Sequence, residues 1–398
     1  MPFCEGTENM QEISHHGRIV QEYREFKAGI TQDELARRIG KSRRTIVTLE
    51  QTAGISDLKT RRTLAWALQI PPQLLGLSDM ALPEITVLTP VEAPTASDGK
   101  SLHRMVIETF TDNLRMRLDL YYLGSAIAAD SGLNSHIGEL KRLVQKSSIK
   151  DRQTFLTLLS HNYQLKGMIA RDQLDYAVAG ECFEQASLLA QEVESAELNA
   201  LSMARQAVVY VWQKKFDEAA RLYETAREIT RRSPPALRAF LATGHAEVQG
   251  LLGNQSCLHS LTFARDMLGR IDPADDYLLL HHSTRCSERS INDGWSQCHT
   301  LIGKPSIAIE SYEKSEKLMD LSMTRMRARL YTQYAEALYA SKDLSCCFYA
   351  TEGLKLARAV GSQYNIQRVK NLAAKLRVQF PQDARIRELL QLLNSVGK

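Results

Sequence analysis

The amino-acid sequence predicts an all-α protein: an N-terminal domain of five short helices followed by a helical-repeat solenoid. The 398 residues include only 21 glycines and 11 prolines, and aromatic residues make up 7%. This composition favours helices over strands joined by tight turns. Helical periodicity continues from about residue 101 almost to the C-terminus, and within it one small-large-small pattern recurs.

The five short helices are predicted between residues 17 and 80. Thr31 and Glu34 form a Thr-x-x-Glu capping box that begins one helix. Gly40 supplies a left-handed stop, and Ser42 caps a second helix that runs through Glu50. Further helices are expected at 57–68 and 71–75, where proline opens the last one. The apolar positions expected in the core are Leu35, Ala36, Ile39, Ile46 and Leu49.

Composition divides the chain into four segments. Residues 1–16 have three acids, no Lys or Arg and no hydrophobic period, so we expect a flexible extension. Residues 17–80 form the first domain, and the proline-containing stretch 81–100 is predicted to be a linker. Residues 101–398 form the helical-repeat domain. The pattern leaves open whether 101–150 is a first repeat or a capping hairpin.

The recurring pattern is Ala-x-x-x-aromatic-x-x-Ala, with small residues where two helices must approach closely. Successive units start 40, 38, 51 and 38 residues apart. A generic helical bundle with antiparallel hairpins would show a similar period, but five recurrences favour a solenoid. The units are Ala179/Phe183/Ala186, Ala219/Tyr223/Ala226, Cys257/Leu261/Ala264, Ala308/Tyr312/Ser315 and Cys346/Ala350/Gly353.

Positive charge is concentrated in the first domain. Residues 17–80 contain eleven Lys and Arg against seven Asp and Glu, whereas the rest of the chain has 39 of each sign. The excess of +4 therefore lies in one small region. It indicates either a nucleic-acid-binding surface or an ordinary solvated helix surface.

Other features exclude several functional classes. The odd number of scattered cysteines, seven, and the lack of an apolar leader predict a reduced, cytoplasmic protein. No apolar run is long enough to span a membrane, so no membrane partner is expected. Phosphate-binding glycine loops and nucleophile elbows are also missing. We therefore expect no enzymatic activity and no cofactor.

One group of residues resembles a metal site but lacks the spacing for one. His281, His282, Cys286, Cys298 and His299 fall within nineteen residues and fit no zinc motif, so no metal is expected. Cys346 and Cys347 point to different faces of a helix and are expected to be buried. Trp212, Trp295 and Tyr210 could line a ligand groove, although helical packing is the more common role.

The segment TQDELARRIGKSRRTIVTLE, residues 31–50, resembles the helix-turn-helix of the Xre-type, phage-repressor-like regulators. In that family the first helix crosses the DNA backbone and the second enters the major groove. The resemblance implies that Gln32 contacts phosphate, that Arg43, Arg44 and Thr48 face base edges, and that Ser42 and Thr45 lie near the sugar-phosphate chain. Lys41 is also expected to bind DNA. Either arginine could instead bind only phosphate.

Residues 151–375 resemble tetratricopeptide repeats, with Gly167 in rough register, which implies a right-handed solenoid. The whole architecture is similar to the peptide-responsive Rap/NprR/PlcR/PrgX regulators of quorum sensing. In those proteins a short secreted peptide lies in the concave groove and alters dimer geometry. The polar residues placed by register on this groove are Gln164, Arg171, Gln249, Asn292 and Gln297, each of which could instead be an ordinary solvated residue.

These observations predict a sequence-specific transcription regulator that binds double-stranded DNA as a homodimer formed through the repeats. The ligand is expected to be a short peptide that changes the spacing of the two DNA-binding heads. Two alternatives remain. The repeats could be a protein-interaction scaffold, or the regulator could sense a small molecule or a phage protein.

Overall fold

The structure is a computed structural model that describes residues 16–52, 54–68, 70, 75, 98–271, 286–320 and 322–395. In these residues every regular element is a helix, as the composition predicted. Contacts divide the chain into two units, Met1–Val91 and Glu92–Lys398. In the described ranges no helix is long and apolar enough to cross a membrane.

The first unit is a small helical domain around one apolar core. Its helices are α1 (His16–Glu22), which continues as a π-helical turn over Tyr23–Lys27, α2 (Gln32–Arg38), α3 (Arg43–Gln51) and α4 (Leu58–Leu68). The predicted helix at 71–75 lies outside the described residues except for Leu75, which is buried in the core. Of the predicted core residues, Leu35, Ala36 and Ile46 are buried, and Ile39 and Leu49 pack against them half-buried.

Local signals in the sequence begin and end the two central helices. The Thr31 hydroxyl accepts a hydrogen bond from the Glu34 backbone N–H at 3.2 Å, and Ser42 Oγ accepts one from the Thr45 N–H at 3.2 Å. Gly40 has a φ of +64°, the left-handed conformation expected for a helix stop. Only the first half of the predicted capping box forms, because the Glu34 carboxylate pairs with Arg38 on its own helix.

Two predicted segment boundaries differ from the structure. His16, which we placed in the extension, is the first residue of α1 and is buried, and its Nδ1 accepts a hydrogen bond from the Ile55 N–H at 3.1 Å. Residues 1–15 lie outside the described residues. The predicted linker, 81–100, is also outside them as far as residue 97, and residues 98–100 belong to the next helix. In both cases a helix begins earlier than its apolar period indicates.

The second unit starts with three helices that do not form a regular hairpin. These are α5 (Asp98–Leu123), α6 (Ala126–Asp130) and α7 (Leu133–Lys146). In the part of this unit that the structure describes, twelve more helices follow and pack as six antiparallel pairs. They are α8 (Ile149–Asp172) with α9 (Tyr176–Glu192), α10 (Ala196–Trp212) with α11 (Phe216–Ile229), α12 (Pro235–Leu251) with α13 (Cys257–Leu268), α14 (Glu288–Leu301) with α15 (Pro305–Lys317), α16 (Thr324–Ala340) with α17 (Cys346–Ala359), and α18 (Gln363–Gln379) with α19 (Ala384–Asn394).

The recurring small-large-small residues lie on the second helix of successive pairs, from α9 to α17. All fifteen residues are buried. A Cβ atom added to Gly167 on α8 would lie 2.7 Å from the Phe183 ring on α9, so glycine allows these two helices to touch. The pattern therefore marks helix contacts inside a repeat array, as predicted.

The repeat array closes on itself. The first helices of the six pairs contact one another in order from α8 to α18, and α18 also contacts α8. At the closure Arg325 forms a buried ion pair with Asp172 and donates from Nε to the Tyr121 carbonyl at 2.6 Å. The Trp212 and Tyr364 rings stack 3.5 Å apart at an angle of 2°. The groove expected from the resemblance is thus the interior of a ring whose ends are joined.

Candidate functional site

A buried ion pair in the first unit helps to fix the positions of helices α2 and α3. Arg24 in the π-helical turn donates from Nε to Glu50 Oε1 at 2.5 Å and from Nη2 to Oε2 at 3.0 Å. Hydrogen bonds from Arg24 to the Glu50 carboxylate raise the pKa of Arg24, so the guanidinium remains charged. Gln32, at the start of α2, donates its amide to Glu50 Oε2 at 2.8 Å. One carboxylate therefore joins three segments behind the outer face of α3.

The interaction with Glu50 gives Gln32 a role that the sequence reading did not include. Gln32 is half-buried, and one of its amide N–H groups is used inside the domain rather than pointing outward. Its position at the first turn of α2 still lies at the helix end that attracts anions. The ion pair itself was missed because its two residues lie 26 positions apart.

The outer face of α3 presents the remaining predicted DNA-contacting residues. Arg43, Arg44 and Thr48 are exposed. Arg43 Nε lies 3.8 Å from Asp33 Oδ2 across an exposed gap, which is a weak contact that other partners can replace. Thr48 donates its hydroxyl to the Arg44 carbonyl at 3.0 Å and keeps its oxygen lone pairs available. The two arginine forks are thus presented outward.

The turn before α3 is strongly cationic. Residues 37–44 contain five Lys or Arg and no acid, and all five of these side chains are exposed. Arg43 and Arg44 occupy the first turn of α3, where the helix dipole makes cations unfavourable. Ser42 and Thr45, whose hydroxyls lie 2.9 Å apart, hold this turn in shape. A cluster of unfavourable charge on a capped helix is typical of a surface that binds an anion.

The residues predicted for the groove lie in different environments. Gln164 on α8 is fully buried, and Gln297 on α14 is nearly so. Arg171 is half-buried, with its guanidinium carbon 4.8 Å from the centre of the Trp212 ring. Gln249 on α12 accepts a hydrogen bond from Ser260 on its own hairpin partner at 2.8 Å, so its carbonyl faces α13. Asn292 on α14 is half-buried.

Gln297 belongs to a polar network that joins the first helices of three pairs. Its Nε2 donates to Glu247 Oε1 at 2.7 Å, and its Oε1 accepts from Gln333 Nε2 at 2.8 Å. Arg329 lies 3.7 Å from carboxylate oxygens of both Glu247 and Asp293. Burial opposes the charge of Arg329, but these two carboxylates raise its pKa above the usual value. Only Gln297 of this network was singled out from the sequence.

The cysteine and histidine cluster is only partly described. His281 and His282 lie outside the described residues, whereas Cys286, Cys298 and His299 are buried. In the described parts of the chain, no three His, Cys, Asp or Glu side chains come close enough to hold a metal ion. Cys346 and Cys347 are both buried, as their helical positions predicted.

Comparison with known proteins supports the first unit most directly. Residues 20–73 match the model of the Helix-turn-helix family HTH_3. This match begins in α1 and includes α2, α3 and α4, so the α2–turn–α3 segment lies within the region that is similar to that family. No curated protein matches the chain.

One solved structure that the chain resembles is the crystal structure of the P58(IPK) TPR domain. It shares 13% sequence identity with this chain, over 95% of this chain and 96% of that one, at a TM-score of 0.22. A similarity at that level carries no functional argument. The helical-repeat architecture of the second unit therefore rests on its own paired helices and buried small residues.

Proposed function

We propose that the protein is a transcription regulator that binds specific sites on double-stranded DNA, with α3 in the major groove and α2 across the backbone. The observation that carries this proposal is the exposed Arg43–Arg44 pair at the start of α3, held on a rigid support by the Arg24–Glu50 ion pair. An arginine fork can bond guanine O6 and N7 together, which is worth about 1 to 3 kcal/mol of discrimination.

The other contacts follow from the same docking. Arg43, Arg44 and Thr48 face base edges, whereas Lys41, Ser42 and Thr45 approach the sugar-phosphate chain, and Gln32 contacts phosphate with its remaining amide N–H. Two half-sites about 34 Å apart require a dimer, and we assign dimerisation to the repeat unit. The protein acts without enzymatic chemistry or a cofactor, in the cytoplasm.

We assign the repeat unit the role of a sensor, with a short peptide as its ligand. The polar network on the first helices, around Gln297 and Arg329, supports this role because it places hydrogen-bonding groups along the inside of the ring. A ligand changes DNA binding only through its difference in affinity for two ring geometries. A ligand that binds both geometries equally leaves operator binding unchanged.

The test is capture of fragmented genomic DNA at near-physiological salt, followed by sequencing. We expect the wild type to enrich a few two-fold symmetric sites and Arg43→Ala/Arg44→Ala to lose them. The matched control is Arg18→Ala/Arg104→Ala, which removes the same charge from two exposed i,i+4 pairs. It should keep the enriched sites.

Folding is measured in parallel by thermal unfolding. Because Arg43 and Arg44 oppose the α3 dipole, their removal should leave the melting temperature unchanged or slightly higher. Diffuse capture that salt abolishes equally in all three proteins would mean phosphate binding alone and would refute the proposal. The repeats would then be the working part of the protein, as in an interaction scaffold.

A further inference from the structure

Two buried arginines of the repeat unit, Arg325 and Arg117, each have several acceptors. Arg325 has the Asp172 carboxylate and two backbone carbonyls, those of Tyr121 and Val360. Arg117 lacks a carboxylate partner but donates to Asn113 and to the carbonyls of Ala129 and Ser131, each at 2.7 Å. A buried guanidinium with fewer acceptors than these keeps more of the free-energy cost of leaving water.

Arg205 on α10 is such a residue. It is 7% exposed, and in the described part of the chain its guanidinium makes one hydrogen bond, from Nη1 to Gln164 Oε1 at 2.6 Å. That acceptor is neutral, and no described carboxylate lies within ion-pair distance. Burial, with a smaller contribution from the positive charge of Arg171, lowers the pKa of Arg205 to about 10. The fold thus holds an uncompensated cation between α8 and α10.

The groups around Arg205 are donors or neutral rings. Gln164 is fully buried, and its Nε2 has no hydrogen-bond partner among the described residues. Arg171 lies against Trp212, and its buried Nε also has no described partner. Burial and the Arg205 charge lower the pKa of His161 to about 3, so its ring is neutral. Two cations and an amide donor therefore lie in one region, and no described carboxylate forms an ion pair with either cation.

We infer that Gln164, Arg171 and Arg205 form a binding site for a small oxyanion group, a carboxylate or a phosphate. Arginine forks bind both groups through paired, charge-assisted hydrogen bonds. The bound oxyanion supplies the acceptors that Arg205 and the Gln164 amide lack. Neutralising the buried Arg205 and the half-buried Arg171 also removes the repulsion between them.

The site is connected to the closure of the ring. Arg171 contacts the same Trp212 ring that stacks on Tyr364 of α18. A ligand that draws the Arg171 guanidinium toward Arg205 changes the support of that stack. This inference deepens the sensor role proposed above and rests on it, since it names the chemical group through which a ligand engages the ring.

The experiment measures thermal unfolding of the full chain in sodium phosphate or sodium citrate against sodium chloride at equal ionic strength. Two further arms use a random pentapeptide pool with free C-terminal carboxylates and the same pool with C-terminal amides. We expect a saturable rise in melting temperature with at least one oxyanion source. A rise in melting temperature with phosphate or citrate shows that a free anion is sufficient to occupy the site. A rise with the carboxylate peptides that is absent with the amidated peptides identifies a peptide C-terminal carboxylate as the ligand group.

Two variants test the assignment to these residues. Arg205→Gln and Arg171→Gln should each weaken the apparent affinity about ten- to hundredfold, and Arg205→Gln should not lower the melting temperature of the ligand-free protein. The control is Arg152→Gln. Arg152 is exposed, lies on α8 as Arg171 does, and pairs with Glu192, so this variant should keep the wild-type response. If Arg205→Gln does not fold, the half-buried Arg171 still provides the test.

The inference is wrong if no oxyanion source stabilises the wild type beyond chloride, or if both variants respond as the wild type does. DNA capture on the same preparations separates this failure from failure of the proposed function. If the protein binds operator DNA but shows no oxyanion effect, only the oxyanion site is refuted. If it shows an oxyanion effect but binds no operator, the proposed regulator function is refuted.

Discussion

At the scale of single residues, Glu50 joins three segments of the first unit. Its carboxylate is buried, and it accepts hydrogen bonds from Arg24 in the π-helical turn and Gln32 at the start of α2. Glu50 lies on α3, so the outward orientation of Arg43 and Arg44 depends on this internal anchor. Removing one partner of a buried pair leaves the other charge without compensation.

We therefore predict that Glu50→Gln destabilises the first unit by about 3 to 5 kcal/mol. The measurement is amide hydrogen exchange of α3, which reports the free energy of opening this unit separately from the repeats. Glu22→Gln removes a carboxylate from the exposed Arg18–Glu22 pair and should have a much smaller effect. Equal protection of α3 in both variants would contradict the anchoring role.

At the scale of helices, glycines decide how closely neighbours pack. Gly167 on α8 faces the Phe183 ring of α9, and a Cβ atom there would lie 2.7 Å from that ring. Gly138 on α7 has open space around it, with nothing within 4 Å of an added Cβ. The same substitution at these two helical positions should therefore change stability in opposite directions.

Gly167→Ala should cost about 1 to 3 kcal/mol, because Phe183 must leave its place in a packed core. Gly138→Ala should stabilise the protein by about 0.5 to 1 kcal/mol, because alanine loses less backbone entropy in a helix. Urea unfolding of both variants checks this prediction. If Gly167→Ala is as stable as Gly138→Ala, the α8–α9 contact is looser than described.

At the scale of the whole repeat unit, buried polar contacts join the two ends of the array. Arg325 holds the closure through Asp172 at the end of α8 and through the Val360 carbonyl before α18. Ser362 adds a hydrogen bond to Asp172 at 2.8 Å, and Gln173 donates to the Gly361 carbonyl at 2.9 Å. These contacts join residues from opposite ends of the array.

Arg325→Met should open this junction and destabilise the repeat unit by about 3 to 5 kcal/mol, because Asp172 is left buried without its cation. Small-angle X-ray scattering should show a larger radius of gyration, and hydrogen exchange should rise at the ends of α8 and α18. The control is Arg377→Met, at an exposed position on α18. Unchanged exchange at the junction would show that the other contacts suffice to close it.

Local sequence by itself determined the all-helical fold and the helix-turn-helix. Thr31, Gly40 and Ser42 act within a few residues of themselves, so their capping and turn chemistry is visible without knowing what surrounds them. The buried small-large-small positions were also predictable, because a helical period reports which face meets a neighbour. The exposure of Arg43 and Arg44 follows from the same period.

Tertiary structure alone decided the anchor, the closed ring and the oxyanion site. Arg24 and Glu50 are 26 residues apart, Arg205 and Gln164 are 41 apart, and Arg325 reaches a carbonyl 204 residues away. No local period encodes these pairings, because each depends on the summed angles of several helix contacts. For the same reason Arg205 was not singled out from the sequence: a buried cation is recognised only when its partners, and the carboxylate it lacks, are known.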